Sequence, residues 1–217
     1  SIEEDVNALK KIPHIIVGCP GRINDMIRRR KVNLKNVKVI VLDEADEMLS
    51  KGFEDQIYNI FHILNEESVQ IALFSATLSQ DLIKLSKKLL RNPEEILVKS
   101  ESLSLEGITQ SYVLLDSDSN KLDTLKDLYS NISVSQCIIY CNSVKRVIDV
   151  YESLKSDNYP VCCLHSDQTR DEREQAYMEF KSGKFRVLVS TNITARGIDI
   201  QQVSTVINYD IPKDCHT

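Results

Sequence analysis

The most constraining feature of the sequence is a repeated alternation between short apolar runs and longer stretches with helical periodicity. Apolar runs followed by helical stretches predict strands joined by helices, which are typical of parallel sheets covered on both faces. The alternation therefore predicts an α/β fold. The predicted strands are residues 14–18, 37–42, 69–77, 95–98, 108–115, 136–141, 159–164, 185–190 and 203–209.

The stretches between these strands carry apolar residues at helical spacing. In the best-defined helices, the predicted buried faces are Phe53, Ile57, Ile60, Phe61 and Leu64; Leu82, Leu85 and Leu89; and Val144, Val147, Ile148, Tyr151 and Leu154. Thr169 is expected to cap the start of a later helix and Gly183 its end. Residues 99–107 are polar and lack periodicity, which predicts a linker between α/β halves at 1–98 and 108–217.

Composition limits the class of protein. The chain has 217 residues, of which 42% are hydrophobic and 27% charged, as in a globular protein. It has neither an apolar run near the roughly 18 residues that span a bilayer nor a signal-peptide pattern, and it lacks an initiator Met, so we expect no membrane partner and a longer parent protein. The net charge of -5 argues against a large basic surface but leaves room for a local basic patch.

The cysteine pattern favours reduced thiols over a metal site. The six cysteines form no C-x-x-C pair, so we expect buried, reduced thiols in an intracellular protein. They are Cys19, Cys137, Cys141, Cys162, Cys163 and Cys215.

An acidic cluster follows the strand that ends at Leu42. Asp43, Glu44 and Asp46 come directly after this apolar run, and ligands of open parallel sheets bind outside the carboxyl ends of strands. A carboxylate there suits Mg²⁺, and the adjacent Glu44 is placed to deprotonate a water that attacks a phosphate. The alternative is that the three acids only cap the next helix, whose N-terminus favours negative charge.

Three further motifs also lie at predicted strand ends. A helix opens with Pro20, Gly21 and Arg22, where free N–H groups can hold a phosphate, although an ordinary strand-to-helix turn explains the triplet equally well. The sequence Ser-Ala-Thr at 75–77 follows a strand and is alternatively a simple cap. In the second half, Ala-Arg-Gly-Ile-Asp at 195–199 suits nucleotide phosphates and ribose, or else a turn with a salt-bridged Arg.

In this order and spacing, the motifs resemble the DEAD-box family of ATP-dependent RNA helicases over the whole chain. Within that family the sequence is most similar to the eukaryotic translation initiation factor 4A subgroup. The similar segments are FEDQIY at 53–58, the linker region at 96–110 and VINYDIP at 206–212. The resemblance implies two RecA-like domains with parallel sheets, both incomplete. Residues 1–98 would be the later part of domain 1 and residues 108–217 a domain 2 that ends before its arginine-bearing motif.

The resemblance also implies the cofactors, the partners and the site residues. ATP and Mg²⁺ would be the cofactors, and single-stranded or locally duplex RNA, read independently of base sequence, the main partner, with a helical-repeat scaffold protein as a further one. The catalytic residues would be Asp43, Glu44, Asp46, Ser75 and Thr77, of which Asp43 and Glu44 hold Mg²⁺ through water. Arg196, Gly197 and Asp199 would contact the nucleotide, and Pro20, Gly21, Arg22, Asn142, Arg173 and Thr191 would contact RNA.

The sequence departs from the family pattern in several places. Cys19, Ser166 and Arg170 stand where the family usually has Thr, Gly and Gln, which affects the expected grip on RNA. The chain also contains no G-x-x-x-x-G-K-[ST] phosphate-binding loop, so we expect these residues alone to be inactive. The competing hypotheses are a non-enzymatic RNA- or protein-binding module and a metal-dependent hydrolase, which would leave the second half unexplained. We expect a cytoplasmic role in translation, with a nuclear role in mRNA processing as the alternative.

Overall fold

Parallel strands joined by helices form each of the two units into which the computed structural model divides the chain, residues 1–106 and 107–217. The structure describes residues 1–64, 68–97, 107–131, 135–194 and 200–213. The predicted α/β class with parallel sheets is therefore confirmed. Most of the predicted linker falls outside the described residues, so its boundaries stay a prediction.

The first unit is built on two parallel strands. Strands β1 (Val39–Leu42) and β2 (Gln70–Leu73) pair so that Val39 lies opposite Gln70 and Leu42 opposite Leu73. Because the strands are parallel, both carboxyl ends lie at one edge of the sheet. The helices are α1 (Ile2–Leu9), α2 (Pro20–Arg28), α3 (Ala45–Ser50), α4 (Glu54–Ile63) and α5 (Gln80–Leu89).

One face of this sheet carries the core of the first unit. Leu42 points inward, whereas the alternate residues Val39 and Val41 remain 53% and 58% exposed, as expected for the two-residue period of a strand. The predicted buried residues of α5 are confirmed. Of those predicted for α4, Ile57, Phe61 and Leu64 are buried, and Phe53 and Ile60 are half-buried. The core cluster comprises Leu42, Ala45, Ile57, Phe61, Leu82, Leu85 and Leu89.

The second unit has four parallel strands in the order β4-β5-β3-β6. They are β3 (Gln136–Tyr140), β4 (Val161–Leu164), β5 (Val187–Ser190) and β6 (Val203–Asn208). The helices are α6 (Lys121–Asn131), α7 (Val144–Ser156) and α8 (Arg170–Lys181), with 3-10 turns at Asp118–Asn120 and Asn192–Thr194. Thr169 and Glu172 form a capping box at α8, and Gly183 follows its end at φ +81°, which confirms both predicted caps.

Both faces of this second sheet are buried, which explains its continuous apolar strands. Cys137 and Ile139 pack with Val147 of α7 on one side. The intervening residue Ile138 packs with Phe180 of α8 on the other. Among the described residues, no helix is long and apolar enough to cross a membrane.

Three predicted strands are wrong. Residues 14–18, 95–97 and 108–115 form no strand, and residue 98 lies outside the described part. Their apolar side chains are open to solvent, with Val17 92%, Ile96 94% and Tyr112 90% exposed. A strand requires a hydrogen-bonded neighbour as well as an apolar sequence, and no described strand pairs with these runs.

Two finer expectations also need correction. On α7, Val150 is buried in place of the predicted Ile148, which is 39% exposed. The buried stripe of this helix runs through Val147, Val150 and Leu154. The cysteines are buried or half-buried in the second unit as expected, but Cys19 is exposed. Cys215 lies outside the described residues.

Candidate functional site

The carboxyl ends of β1 and β2 are tied together by backbone hydrogen bonds. The N–H of Phe74 donates to the Leu42 oxygen at 2.7 Å, and the N–H of Ala45 donates to the Phe74 oxygen at 3.1 Å. Asp43 and Glu44 lie between these two contacts and are exposed. The structure therefore places the predicted catalytic acids at the edge of the sheet where ligands of parallel sheets bind.

Glu44 adopts a backbone conformation that side chains rarely take. Its φ of 50° and ψ of 48° are left-handed, at a cost of about 1 kcal/mol or more for a residue with a side chain. Its N–H donates to Asp43 Oδ1 at 2.9 Å, so the strand end and the start of α3 form one tight turn. Both residues of this turn stay open to solvent.

Asp46 connects the acidic turn, formed by Asp43 and Glu44, to the Ser-Ala-Thr segment at 75–77 after β2. The Thr77 hydroxyl donates to Asp46 Oδ2 at 2.8 Å, although the two residues are 31 positions apart in sequence. Ser75 Oγ in turn donates to the Thr77 oxygen at 2.8 Å. Asp46, Ser75 and Thr77, three of the predicted catalytic residues, thus form one connected group.

The acidic turn suits a hydrated magnesium ion. Mg²⁺ is commonly held by one or two carboxylates and keeps several waters, and Asp43 and Glu44 offer two exposed carboxylates. No group of three or more His, Cys, Asp or Glu side chains able to hold a metal occurs in the described residues. The donor set therefore fits an ion that reaches the protein mainly through water.

The predicted phosphate-binding triplet begins α2. Pro20 is buried at the first helical position, and Cys19 precedes it without a side-chain hydrogen bond to the helix end. This agrees with the expected loss of a hydroxyl at position 19. The guanidinium of Arg22 pairs with Asp5 of α1, so an RNA phosphate would have to compete with that carboxylate.

The predicted RNA residues of the second unit lie near one edge of its sheet. Asn142 lies two residues beyond β3 and Thr191 directly follows β5, and the last residues of these strands are paired with each other. Arg173, in the first turn of α8, donates from Nη1 to the Gln168 oxygen at 2.6 Å. All three positions therefore belong to the carboxyl edge, where a nucleic-acid backbone would find both hydrogen-bonding groups and positive charge.

The second unit also contains the predicted nucleotide-binding residues, as well as Ser166 and Arg170. Arg196, Gly197 and Asp199 lie outside the described residues, so their nucleotide role stays a prediction. Ser166 donates from Oγ to Asp167 at 3.1 Å, and Arg170 is exposed at the start of α8.

A network around Asp210 was missed by reasoning from the sequence. Asp210 follows β6, and its side chain is only 12% exposed. Its Oδ2 accepts the backbone N–H of Asn142 at 3.0 Å, and its Oδ1 accepts Lys121 Nζ at 3.0 Å and Arg146 Nη2 at 3.2 Å. The sequence signal was present, since Asp210 belongs to the VINYDIP segment, but spacing alone does not reveal partners so distant in sequence.

The electrostatics of this network favour an ionised Asp210. Burial by itself raises the pKa of the carboxyl group, but hydrogen bonds from Asn142, Lys121 and Arg146 outweigh burial and leave the pKa below its ordinary value. Asp118 pairs with the same two cations at 2.8 and 2.7 Å. Two cations and two carboxylates thus balance each other beside Tyr209, whose ring lies 5.5 Å from the Lys121 ammonium.

Two family models match the chain. Residues 1–85 match the DEAD/DEAH box helicase model. Residues 120–217 match the helicase conserved C-terminal domain. Between them, the matched ranges include the acidic turn, the Ser-Ala-Thr segment and every described strand.

The similarity to curated proteins extends over nearly the whole chain. The ATP-dependent RNA helicase eIF4A of Emericella nidulans is 46% identical over 212 residues, which are 98% of this chain and 53% of that protein. The Aspergillus fumigatus protein of the same name is also 46% identical, over 98% of this chain and 52% of its own length. The chain thus spans about half the length of the curated relatives it matches.

Solved structures show the same similarity. Saccharomyces cerevisiae Dbp5 bound to RNA and ADP BeF3 has a TM-score of 0.82 at 35% identity, over 93% of this chain and 51% of that one. A DEAD box protein from Methanococcus jannaschii has a TM-score of 0.53 at 33% identity, over 99% of this chain and 57% of that one.

Proposed function

Since the chain belongs to the DEAD/DEAH box helicase family, we propose that it is part of an ATP-dependent RNA helicase of about the relatives' length, called here the full-length protein. This protein would couple ATP hydrolysis to clamping and local unwinding of RNA. The observation that supports the proposal best is the hydrogen bond between Thr77 and Asp46, because it joins the acidic turn to a second strand end. A structural change that the nucleotide causes at the acidic turn would reach the segment after β2 through this hydrogen bond.

In this proposal, Asp43 and Glu44 serve the hydrolytic step. Bound Mg²⁺ would supply neutralisation of the charge on the phosphates. Asp43 would hold the ion through water, and Glu44 would orient a water molecule and accept its proton as the γ-phosphate is attacked. The exposed strand-end position and the left-handed turn keep the Glu44 carboxylate available for this role.

The hydrolysis proposal is tested by Glu44→Gln in the full-length protein. The amide keeps the shape of the side chain but cannot accept a proton, so we expect ATP hydrolysis to fall roughly 10²-fold or more while ATP binding is retained. Phosphate release with saturating RNA and Mg²⁺ measures the first effect, and nucleotide titration measures the second. Glu47→Gln, in the first turn of the helix that follows Glu44 and paired with Lys51, is the matched control and should keep full turnover.

Two results would contradict these expectations, the first about Glu44 and the second about the need for a phosphate-binding loop. Wild-type turnover in Glu44→Gln would remove Glu44 from the mechanism. Release that depends on Glu44 from the 217-residue chain alone would show that the phosphate-binding loop is not needed, since the chain contains no G-x-x-x-x-G-K-[ST] sequence. The same assay on the chain alone distinguishes these cases.

We also propose that the full-length protein binds the RNA backbone through residues of both units, without reading bases. Phosphate contacts position a protein on its nucleic acid but carry no sequence information. Pro20, Gly21 and Arg22 would act from the first unit, and Asn142, Arg173 and Thr191 from the second. Similar Dbp5 is described as bound to RNA together with ADP BeF3, which supports a nucleotide-dependent RNA complex.

RNA affinity in the full-length protein should depend on ATP and on salt but little on base sequence. We expect tight binding of single-stranded RNA only with a non-hydrolysable ATP analogue, and weaker binding as salt rises, because phosphate contacts release counterions. Arg173→Gln should weaken binding about tenfold, the effect of losing roughly 1.4 kcal/mol. Fluorescence anisotropy with RNAs of two base compositions measures these quantities.

The control for this measurement is Lys155→Gln, in the last turn of α7, which should bind like the wild type. Equal affinity with and without nucleotide, or a strong preference for one RNA sequence, would contradict the proposal.

For the cellular process, we propose cytoplasmic translation initiation, with nuclear mRNA processing as the alternative. The support is the name shared by the relatives at 46% identity. A helical-repeat scaffold protein would be a further partner. Co-sedimentation of the full-length protein with small ribosomal subunits favours the first process, whereas recovery only with nuclear RNA complexes would exclude it.

A further inference from the structure

The Asp210 network lies beside a residue that the proposed function assigns to RNA. Asn142 is held by two hydrogen bonds to the segment that follows β6. Its backbone N–H donates to Asp210 Oδ2 at 3.0 Å, and its side-chain Nδ2 donates to the Ile211 oxygen at 2.7 Å. The first bond fixes the backbone of Asn142, and the second fixes the direction of its amide.

Asp210 is held in turn by two cations from different helices. Lys121 comes from the start of α6 and Arg146 from the first turn of α7. Both contact Oδ1 of Asp210, which leaves Oδ2 to the N–H of Asn142. The side chain is only 12% exposed, so it has little freedom to leave this position.

The charges of the network explain why it is centred on an acid. A half-buried carboxylate needs donors on both oxygens to offset the loss of water, and Asp210 receives them from Asn142, Lys121 and Arg146. Asp118 balances the second positive charge at 2.8 Å from Lys121 and 2.7 Å from Arg146. The cluster is therefore close to neutral and offers little net charge to an RNA phosphate itself.

We propose that Asp210 is a positioning residue for RNA binding that acts through Asn142, with Lys121 and Arg146 holding Asp210 in place. This inference rests on the proposed function, because it takes Asn142 as an RNA contact. With one amide hydrogen committed to Ile211, Asn142 presents its Oδ1 and its second amide hydrogen to the sugar-phosphate backbone in one fixed orientation. Pre-orientation of this kind raises affinity by removing the cost of ordering the side chain on binding.

The test is a double-mutant cycle in the full-length protein, with RNA affinity measured in the presence of a non-hydrolysable ATP analogue. Asp210→Ala should weaken RNA binding about tenfold, and Asn142→Ala by a similar factor. The double variant should bind no worse than Asn142→Ala alone, because Asp210 acts only through the residue that has been removed.

Two further variants separate positioning from a general loss of structure. Asp210→Asn keeps an oxygen for the N–H of Asn142 but turns an amide donor toward Lys121 and Arg146, so it should recover part of the affinity lost in Asp210→Ala. Asp157→Ala breaks the Lys126–Asp157 ion pair of 2.7 Å in the same unit and should leave RNA affinity unchanged. Hydrogen exchange of β3 peptides reports whether each variant keeps its sheet.

The outcomes are distinct. Coupled losses in the cycle and recovery by Asp210→Asn support the inference. If wild-type protein binds RNA but the two losses multiply, or Asp210→Ala binds normally, the inference is overturned while the proposed function stands. If wild-type protein binds no RNA in any nucleotide state, the proposed function falls and the inference with it.

Discussion

At the scale of single residues, the hydrogen bond from Thr77 to Asp46 is the contact on which the first site depends. It measures 2.8 Å and is half-buried, so water replaces it poorly. Thr77 also receives the Ser75 hydroxyl at its carbonyl oxygen. One side chain thus connects the segment after β2 with the helix that follows the acidic turn.

Replacing Thr77 by Val should destabilise the first unit by about 1 kcal/mol, because Val has nearly the same shape but cannot donate to Asp46. Hydrogen exchange of peptides that contain β1 and β2 measures this change. Thr77→Ser retains the hydroxyl and is the matched control. Equal protection in Thr77→Val and the wild type would mean that other contacts of Asp46 carry its role.

Sequence reasoning located the site residues of the first unit but not their conformation. A run of acids after an apolar strand predicted that Asp43 and Glu44 lie at a strand end, because chain order alone determines that position. The left-handed backbone of Glu44 was not predictable, since Glu has no intrinsic preference for it. The partners of Asp210 were hidden for another reason: they lie on α6, α7 and the end of β3, and only the folded topology brings them together.

At the scale of elements, helix caps and strand pairing determine the position of each segment. Helix α5 starts at Gln80, with the Ser79 hydroxyl accepting the N–H of Leu82 at 3.2 Å. It buries Leu82, Leu85 and Leu89 against the first sheet. Its cap therefore contributes to the core of the whole unit.

Ser79→Ala should destabilise α5 by about 1 kcal/mol, the usual effect of losing an N-cap hydroxyl. Ser86→Ala, in the interior of the same helix, is the control. The Ser86 hydroxyl donates to the Ile83 oxygen within the helix, and Ala has the higher helix propensity, so this variant should be neutral or slightly stabilised. Exchange rates of the peptide covering α5 compare the two, and equal effects would contradict a capping role for Ser79.

The success of the strand predictions depended on backbone pairing as well as on apolar side chains. Runs 37–42, 136–141 and 185–190 were predicted correctly because each packs apolar residues against helices on at least one face and pairs its backbone with a neighbouring strand. Runs 14–18 and 108–115 have equally apolar sequences, but no strand in the described part of the chain pairs with them. Sequence periodicity reports the side chains that favour burial and contains no information on the pairing of the backbone.

At the scale of the whole molecule, the Asp210 network joins α6, α7, β3 and β6 and so contributes to the stability of the second unit. The pKa of Asp210 lies below its ordinary value despite burial, owing to its three donors. The pKa of Asp118 is also lowered, first by Lys121 and then by Arg146. A lowered pKa in the folded state contributes stability that is complete above the ordinary carboxyl pKa and is lost as the pH falls through the folded value.

The second unit should therefore lose stability as the pH falls below about 4, the ordinary carboxyl range. Urea unfolding followed by tyrosine fluorescence measures this, since seven of the eight tyrosines lie in residues 107–217 and the chain has no Trp. The variant Asp118→Asn with Asp210→Asn should be less stable at pH 7, and its difference from the wild type should shrink toward pH 3. A constant difference across this range would contradict the linkage.

The strand order of the second unit has a consequence for synthesis on the ribosome. Strands β3, β4 and β5 emerge before β6, although β6 pairs with β3 along its length. Until residues 203–208 leave the exit tunnel, one side of β3 presents unpaired N–H and C=O groups, which invite pairing with other chains. The nascent second unit therefore carries at least one unpaired edge on β3 from the release of β3 until that of β6, and a chaperone would have its main effect in this interval.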